Sequence, residues 1–284
     1  MNRFFRSTCT VALAAASLGT IACDDVTSAD DSGNVTVAFS AATSTDASAS
    51  SSLAAAPSFS AAPGEIVLTG DNGILTITDV AFIVGEFKLD RGDDACDSLA
   101  GIGNGDDDDD DCEEFETGTF FVQLPLTGGT TPVTTQSIPS GTYVEMKFEV
   151  EDADLSEAED DDDGADILAL LAEIEAAGYT DWPADASLVV AGRFTPTDGP
   201  ASDFVAYFEA EIKIEMAFDP PLVIDGEPGT LDIQIDPAAW FSNLDGSVTD
   251  LSEFDFVASG GQVVEFEAKM EHGFTKIELE GFDD

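Results

Sequence analysis

The chain has 284 residues, 43% of them hydrophobic, which is enough for one substantial core or two small ones. Its 9 Lys and Arg are outnumbered by 59 Asp and Glu, so the formal net charge is −50. Such a surface excludes nucleic acid and anionic lipid headgroups as partners, because both are bound through basic side chains. Divalent and other cations are the small partners that this charge favours.

The first 22 residues have the pattern of a bacterial secretory signal. Arg3 and Arg6 form a positively charged start, and the apolar stretch from Val11 to Ala22 is too short to span a membrane. This stretch ends in GTIAC, and the small residue before Cys23 resembles a lipobox. That resemblance implies cleavage before Cys23 and attachment of lipid to its thiol. The alternative is an ordinary signal peptide with a coincidental cysteine.

Lipidation at Cys23 predicts an exported protein that is anchored in the bacterial cell envelope by its N-terminal lipid. Asp24 follows the cysteine, which favours the inner membrane in some bacteria and leaves the choice between inner and outer membrane open. We expect residues 23–33 to be a tether and residues 34–284 to be a single domain. Residues 41–63, rich in Ala, Ser and Thr, are predicted to be a flexible insertion in that domain.

Two further cysteines, Cys96 and Cys112, remain after the signal and the lipid site are assigned. In an exported protein such a pair predicts a disulfide. The loop that it closes contains GNGDDDDDDCEE and is expected to lie between two strands.

Period-2 alternation of apolar residues dominates the chain and predicts strands. It begins at NVTVAFSA and continues through EIVLTG, TFFVQLPL, GTYVEMKFEVE, ASLVVAGRF, FVAYFEAEIKIEMAF and TLDIQID. Asn72-Gly73 favours a hairpin turn, and changes of apolar parity near Asp79 and Gly85 predict bulges. The long stretch from Phe204 to Phe218 is expected to bend or to pass between sheets.

Helical spacing appears in three places. Ile167, Leu168, Leu171 and Ile174 predict a helix that ends at Gly178. PAAWFSN favours a short helical turn, and GGQVVEFEAKMEHG favours a helix with Gly273 at its cap, followed by the strand FTKIEL. Together these patterns predict a mostly β fold, an antiparallel β-sandwich with one or two short helices.

Four stretches, NGILTITDVAFIVGEFKLD, CEEFETGTFFVQLPL, IPSGTYVEMKFEVED and LDIQIDPAAWFSNLDGSVTDL, resemble a set of uncharacterised bacterial lipoproteins. The resemblance covers roughly residues 34–280 and implies a β-sandwich of immunoglobulin or transthyretin type. Its motifs are structural, so no catalytic residue is implied by it.

Calcium is the cofactor that the acidic segments suggest. The candidate ligands are the six consecutive aspartates Asp106, Asp107, Asp108, Asp109, Asp110 and Asp111. Ca²⁺ requires six to eight oxygens at one point, whereas neighbouring side chains in an extended chain point apart. Aligning Gly164 or Gly246 as the sixth residue of an EF-hand loop leaves other ligand positions unfilled. A solvated acidic loop is therefore the simpler interpretation.

No pattern singles out catalytic residues. The lone His272 stands beside Gly273, and the sequence lacks a phosphate-binding Gly-rich loop and a His pair for zinc or iron. Trp182 and Trp240 are flanked by turn and helix signals and are predicted to be packing anchors. The expected function is therefore non-catalytic, namely structural, adhesive or ligand-binding. The alternatives are a calcium-binding surface module and a carboxylate-dependent hydrolase.

Overall fold

Strands account for 58% of the residues that the computed structural model describes, so the prediction of a mostly β chain is confirmed. The structure describes residues 32–42, 58–62, 64–91, 115–153, 164–266, 270 and 273–282. The strands of this part of the chain are β1 Ser32–Ala41, β2 Ser58–Ala62, β3 Glu65–Gly70, β4 Gly73–Asp90, β5 Phe115–Thr117, β6 Phe120–Gln123, β7 Thr130–Pro139, β8 Gly141–Val150, β9 Leu188–Pro196, β10 Ser202–Glu209, β11 Ile212–Ile224, β12 Gly229–Ile235, β13 Val264–Glu265 and β14 Phe274–Glu280. The helices are α1 Gly164–Ala176 and α2 Pro237–Phe241, with a 3-10 turn at Leu251–Phe254.

The strands form two sheets. The four-stranded sheet has the order β14-β12-β1-β7, and the ten-stranded sheet has the main order β11-β8-β4-β9-β10-β13. In the larger sheet β3, β5 and β6 also pair with β4, and β2 pairs with β3. Both sheets are mixed, because β1 pairs with β12 and β10 pairs with β13 in parallel. The prediction of purely antiparallel sheets is wrong at these two pairs. Apolar alternation has the same period in both arrangements and does not encode strand direction.

Strand β4 organises the larger sheet. Its first half pairs with β3 and β9, its middle with β6, and its last residues with β5 and β8. The hairpin predicted at Asn72-Gly73 joins β3 to β4. The register of β4 shifts between Ile77 and Asp79 and again between Val84 and Phe87, which confirms both predicted bulges.

Aromatic side chains connect the two sheets within the buried core. Phe39 of β1 meets Phe82 of β4 and Phe148 of β8 edge to face, with ring centroids 5.6 and 5.9 Å apart. The apolar inner residues of β1, β4, β8 and β12 belong to the same buried cluster. These aromatic contacts therefore join the two sheets within a core that is otherwise mostly aliphatic.

A second apolar cluster lies on the other face of β4. Ala81 and Ile83 belong to it, together with Leu170 and Ile174 of α1, while Val80, Phe82 and Val84 face the first cluster. The run VAFIV is therefore buried on both sides, which explains why apolar residues are continuous there. Helix α1 is the layer that covers this second face.

The buried face of α1 differs from the predicted one. Ile167, Leu170 and Ile174 are buried, whereas Leu168 is 59% exposed. Burial at i, i+3 and i+7 is a narrow stripe, because the helix contacts the sheet along one line only. The helix stops where expected, since Gly178 has a φ of 106° and Tyr179 N–H donates to the Ile174 carbonyl.

Three other predicted elements are corrected. Ser58–Ala62, at the end of the predicted insertion, forms β2 against β3, and the rest of that insertion beyond residue 42 lies outside the described residues. The stretch from Phe204 to Phe218 is two strands, β10 and β11, which pair with β9 and β8. The tail helix is wrong at Val264–Glu265, which is strand β13 beside β10, because pairing to an open edge outweighs local helical spacing there.

Candidate functional site

The residues predicted to bind lipid, form a disulfide or hold calcium lie outside the described part of the chain. These residues are Cys23, Cys96, Cys112 and Asp106–Asp111. The lone His272 also lies outside the described part of the chain. The structure does describe both strands that flank the Asp-rich segment. Phe87–Leu89 of β4 pairs antiparallel with Phe115–Thr117 of β5. The segment therefore connects two paired strands, as the sequence predicts.

Two lysine side chains, one from β4 and one from β8, lie close to the ends of this connection. Lys88 Nζ lies 2.9 Å from Glu86 Oε1 and 3.6 Å from Glu116 Oε2, and Lys147 Nζ lies 3.3 Å from Asp90 Oδ2. The pKa of Glu116 is raised because it shares a hydrogen bond with the Glu86 carboxyl group, and partial burial adds to this effect. This group neutralises part of the charge at the point where the acidic segment leaves the sheet.

Arg91, the last described residue before the Asp-rich segment, is held by Tyr143. Its guanidinium lies over the Tyr143 ring, 5.2 Å from the centroid, and Nη2 donates to the Ser140 carbonyl at 3.1 Å. Tyr143 is fully buried, although the alternation of GTYVEMKFEVE predicts Val144 at the inner position. The pairing of β8 with the neighbouring strand β11 is irregular at this point, where Ala217 lies opposite Glu145 and Leu222 opposite Tyr143.

An acidic cleft of about 210 Å³ lies beside the start of α1. Its walls include three carboxylate residues, Glu151, Asp152 and Glu211, and the apolar side chains of Ile167 and Leu170. Within the described ranges, however, no three His, Cys, Asp or Glu residues are placed so that they could hold a metal ion. The cleft concentrates negative charge without forming a coordination site.

A buried carboxyl group lies on the outer face of the four-stranded sheet. Asp232 of β12 is only 5% exposed, and its Oδ2 accepts a hydrogen bond of 2.9 Å from Ser40 Oγ of β1. Its Oδ1 is buried and has no hydrogen-bond partner in the described structure. Burial raises the pKa of Asp232, and the carboxylates of Glu278 and Glu280 raise it further, while the Ser40 hydroxyl opposes them.

Sequence reasoning does not identify Asp232. In TLDIQID the aspartate occupies a polar position between buried Leu231 and Ile233, which is the pattern of an ordinary solvent-facing residue. Its burial depends on β1, which pairs with β12 across 192 residues of sequence. A single sequence contains no signal for that pairing.

The outer aromatic cluster consists of rings that meet edge to face. Its members are Phe121, Tyr179, Trp182, Tyr207 and Phe256. Trp182 Nε1 donates to the Ala186 carbonyl at 2.7 Å, and the Tyr179 hydroxyl donates to Asp79 Oδ2 at 2.5 Å. Trp240 is fully buried, and its Nε1 donates to the Met270 carbonyl at 3.0 Å. Both tryptophans are packing anchors, as predicted.

No protein-family model matches the chain, and neither a characterised protein nor a solved structure resembles it significantly. The resemblance to bacterial lipoproteins therefore stays a prediction from the sequence. None of the helices in the described ranges is long and apolar enough to cross a membrane.

Proposed function

We propose that this protein is a lipid-anchored component of the bacterial cell envelope with a structural, adhesive or ligand-binding role rather than a catalytic one. The observation that carries the proposal is the sequence GTIAC after a basic start and an apolar stretch. Strand β1 begins at Ser32, nine residues after Cys23, so the lipid and the tether would keep the folded part close to the bilayer.

The fold that we propose for this role is a β-sandwich. The contacts of Phe39 with Phe82 and Phe148 support it, because they join the inner faces of the two sheets. Helix α1 would then be a third layer on the outer face of the larger sheet. A β-rich domain with a strongly anionic surface suits a non-catalytic role at the membrane, because repulsion between like charges limits self-association.

The anchor can be tested with two cysteine variants of the full chain. Cys23→Ser should abolish acylation and move the protein from the membrane fraction to the soluble fraction. Cys9→Ser, within the predicted signal, is the matched control and should leave both properties unchanged. Mass spectrometry of the N-terminal peptide measures acylation directly. Unmodified Cys23 on a soluble, processed protein would overturn the proposal.

Calcium binding at Asp106–Asp111 is the second candidate. The pairing of Leu89 with Phe115 favours it, because the two ends of the acidic segment are held on adjacent strands. A disulfide between Cys96 and Cys112 would restrict the segment further and would be worth about 3 kcal/mol in the chain-entropy model. Alkylation of Cys96 and Cys112 in the unreduced protein would contradict the disulfide, because only free thiols react.

Thermal unfolding distinguishes a calcium site from general screening of charge. Millimolar Ca²⁺ should raise the Tm above the value in EDTA, and Na⁺ at equal ionic strength should not. Changing Asp106–Asp111 to Asn should remove the calcium effect. The same change at Asp160–Asp163, the other acidic run, should retain it. Equal shifts with both salts would exclude a specific site.

A further inference from the structure

The Ser40–Asp232 pair joins strands from opposite ends of the chain. Ala38 of β1 is the register partner of Asp232, and the Ser40 hydroxyl donates to Asp232 Oδ2 at 2.9 Å. Ser40 is 7% exposed and Asp232 is 5% exposed, so water has little access to either side chain. This hydrogen bond belongs to the parallel pairing of β1 with β12.

The charges around Asp232 come from β14. Glu278 is the cross-strand partner of Asp232, and Glu280 also lies near enough to act on its charge. The Lys276 ammonium group is paired with the Glu278 carboxylate. On β12 the neighbouring positions of the same face are Thr230 and Gln234, and β7 on the far side of β1 carries no charged residue. The immediate electrostatic environment of Asp232 is therefore negative.

A charged carboxylate is poorly accommodated in this position. It receives one hydrogen bond through Oδ2, while Oδ1 is buried with no donor in the described structure. Burying an ionised carboxylate without its full set of donors costs far more than burying the neutral acid. Neighbouring carboxylates add to this cost because like charges repel.

We propose that Asp232 is a proton-binding site that makes the four-stranded sheet more stable in acidic solution than in neutral solution. The proton joins the carboxylate at Oδ1, the oxygen that lacks a donor, while Oδ2 keeps the Ser40 hydrogen bond. Proton uptake removes the unfavourable buried charge and the repulsion from β14. Because the Ser40–Asp232 hydrogen bond links β1 to β12, pH then controls how firmly β1 is held to the rest of the sheet.

The sign of the effect follows from linkage. Because the folded state disfavours the ionised form, the pKa of Asp232 is higher in the folded than in the unfolded chain. The stabilisation is complete below the unfolded value near 3.9 and is lost as the pH rises through the folded value. This behaviour is opposite to that of an aspartate in a salt bridge.

Asp232→Asn tests the proposal, because it keeps the shape of the side chain and removes the charge. The control is Asp198→Asn, which removes one charge from the exposed β9–β10 turn and so reports only the general relief of repulsion. At about pH 7.5, D232N should have a Tm about 2–4 °C above the wild type after subtraction of the D198N effect. At about pH 4 this difference should disappear.

A second variant and a direct measurement make the test independent of the behaviour of D232N. Ser40→Ala removes the hydroxyl donor and should lower the Tm more at neutral than at acidic pH, since a hydrogen bond to a charged acceptor is the stronger one. The NMR titration of the Asp232 carboxyl carbon should have its midpoint above the usual range for aspartate. A midpoint within or below that range would overturn the proposal, as would a D232N effect that is equal at both pH values.

Discussion

Asn72 and Val248 exchange two hydrogen bonds although 176 residues separate them in the sequence. Asn72 Nδ2 donates to the Val248 carbonyl at 2.8 Å, and the Val248 N–H donates to Asn72 Oδ1 at 2.9 Å. The side chain therefore acts like one residue of a paired strand. It fastens the β3–β4 turn to the segment that follows α2, where the Asp71 N–H also donates to the Gly246 carbonyl at 3.0 Å.

Replacing Asn72 should therefore weaken a contact between distant parts of the chain as well as a turn. We expect Asn72→Ala to reduce the free energy of unfolding by about 1–2 kcal/mol, because the Val248 N–H and carbonyl both lose their partners. Urea unfolding measures the change. Asn34→Ala, at an exposed position of β1, is the control and should have a much smaller effect. Equal losses for the two variants would show that the hydrogen bonds to Val248 contribute little.

Gly273 makes room for the indole of Trp240. A Cβ at position 273 would overlap Trp240 Nε1, and Trp240 is fully buried with its N–H bonded to the Met270 carbonyl. We expect Gly273→Ala to cost about 3 kcal/mol or more, because the large ring has no free space to move into. Gly118→Ala is the control, since a Cβ there meets no atom within 4 Å. The change in the urea midpoint, followed by tryptophan fluorescence, should differ sharply between the two variants.

Two leucines of α1 provide a matched test of how this helix packs. Leu170 is 3% exposed in the second apolar cluster, whereas Leu168 is 59% exposed. We expect Leu170→Ala to lower the free energy of unfolding by about 2–4 kcal/mol and Leu168→Ala to change it by less than about 0.5 kcal/mol. Thermal or urea unfolding distinguishes them. A larger effect at Leu168 would mean that the helix is rotated relative to the described structure.

The hydrogen bond from Tyr179 to Asp79 should contribute to stability in a pH-dependent way. Burial raises the pKa of the Tyr179 hydroxyl, and the Asp79 carboxylate raises it further, because ionised tyrosine would face a negative charge. Tyr179→Phe should cost about 1–2 kcal/mol at neutral pH. Tyr207→Phe in the same aromatic cluster is the control, because no hydrogen bond of its hydroxyl is seen within the described ranges.

The change in stability at alkaline pH provides a second test of the Tyr179 hydrogen bond. A raised pKa in the folded state means that the stabilisation is present below pH 10, the usual value for tyrosine, and is lost as the pH rises above it. The wild type should therefore lose its stability advantage over Tyr179→Phe on going from about pH 9 to about pH 11. An advantage that does not change over this range would contradict the assignment of the hydroxyl as a buried donor to Asp79.

Local patterns predict most of the strands. The Asn72-Gly73 turn, the bulges near Asp79 and Gly85, and the end of α1 at Gly178 each depend on a few neighbouring residues, so a single sequence contains them. Local patterns do not predict which strands pair with one another. The parallel pairing of β1 with β12, and the placement of β2 and β13 at the larger sheet, depend on residues far away in the chain, for which alternation carries no information.

The candidate sites divide in the same way. Cys23, Cys96, Cys112 and Asp106–Asp111 are evident from residue type and spacing alone, and they belong to segments outside the described structure. Asp232 has the opposite character. It is an unremarkable polar residue of a strand in the sequence, and only the strands on either side of it, β1 and β14, turn it into a buried acid with an unpartnered oxygen.

The pairing of β1 with β12 also makes the four-stranded sheet depend on residues that are far apart in the sequence. Strand β1 pairs with β7 at residues 130–139 and with β12 at residues 229–235, and β12 in turn pairs with β14 at residues 274–280. Contacts of such long sequence separation form late, because the entropy of closing a large loop must be overcome first. The four-stranded sheet is therefore expected to form later than the β3–β4 hairpin, whose two strands are neighbours in the sequence. The net charge of −50 disfavours association between molecules in which this sheet has not yet formed.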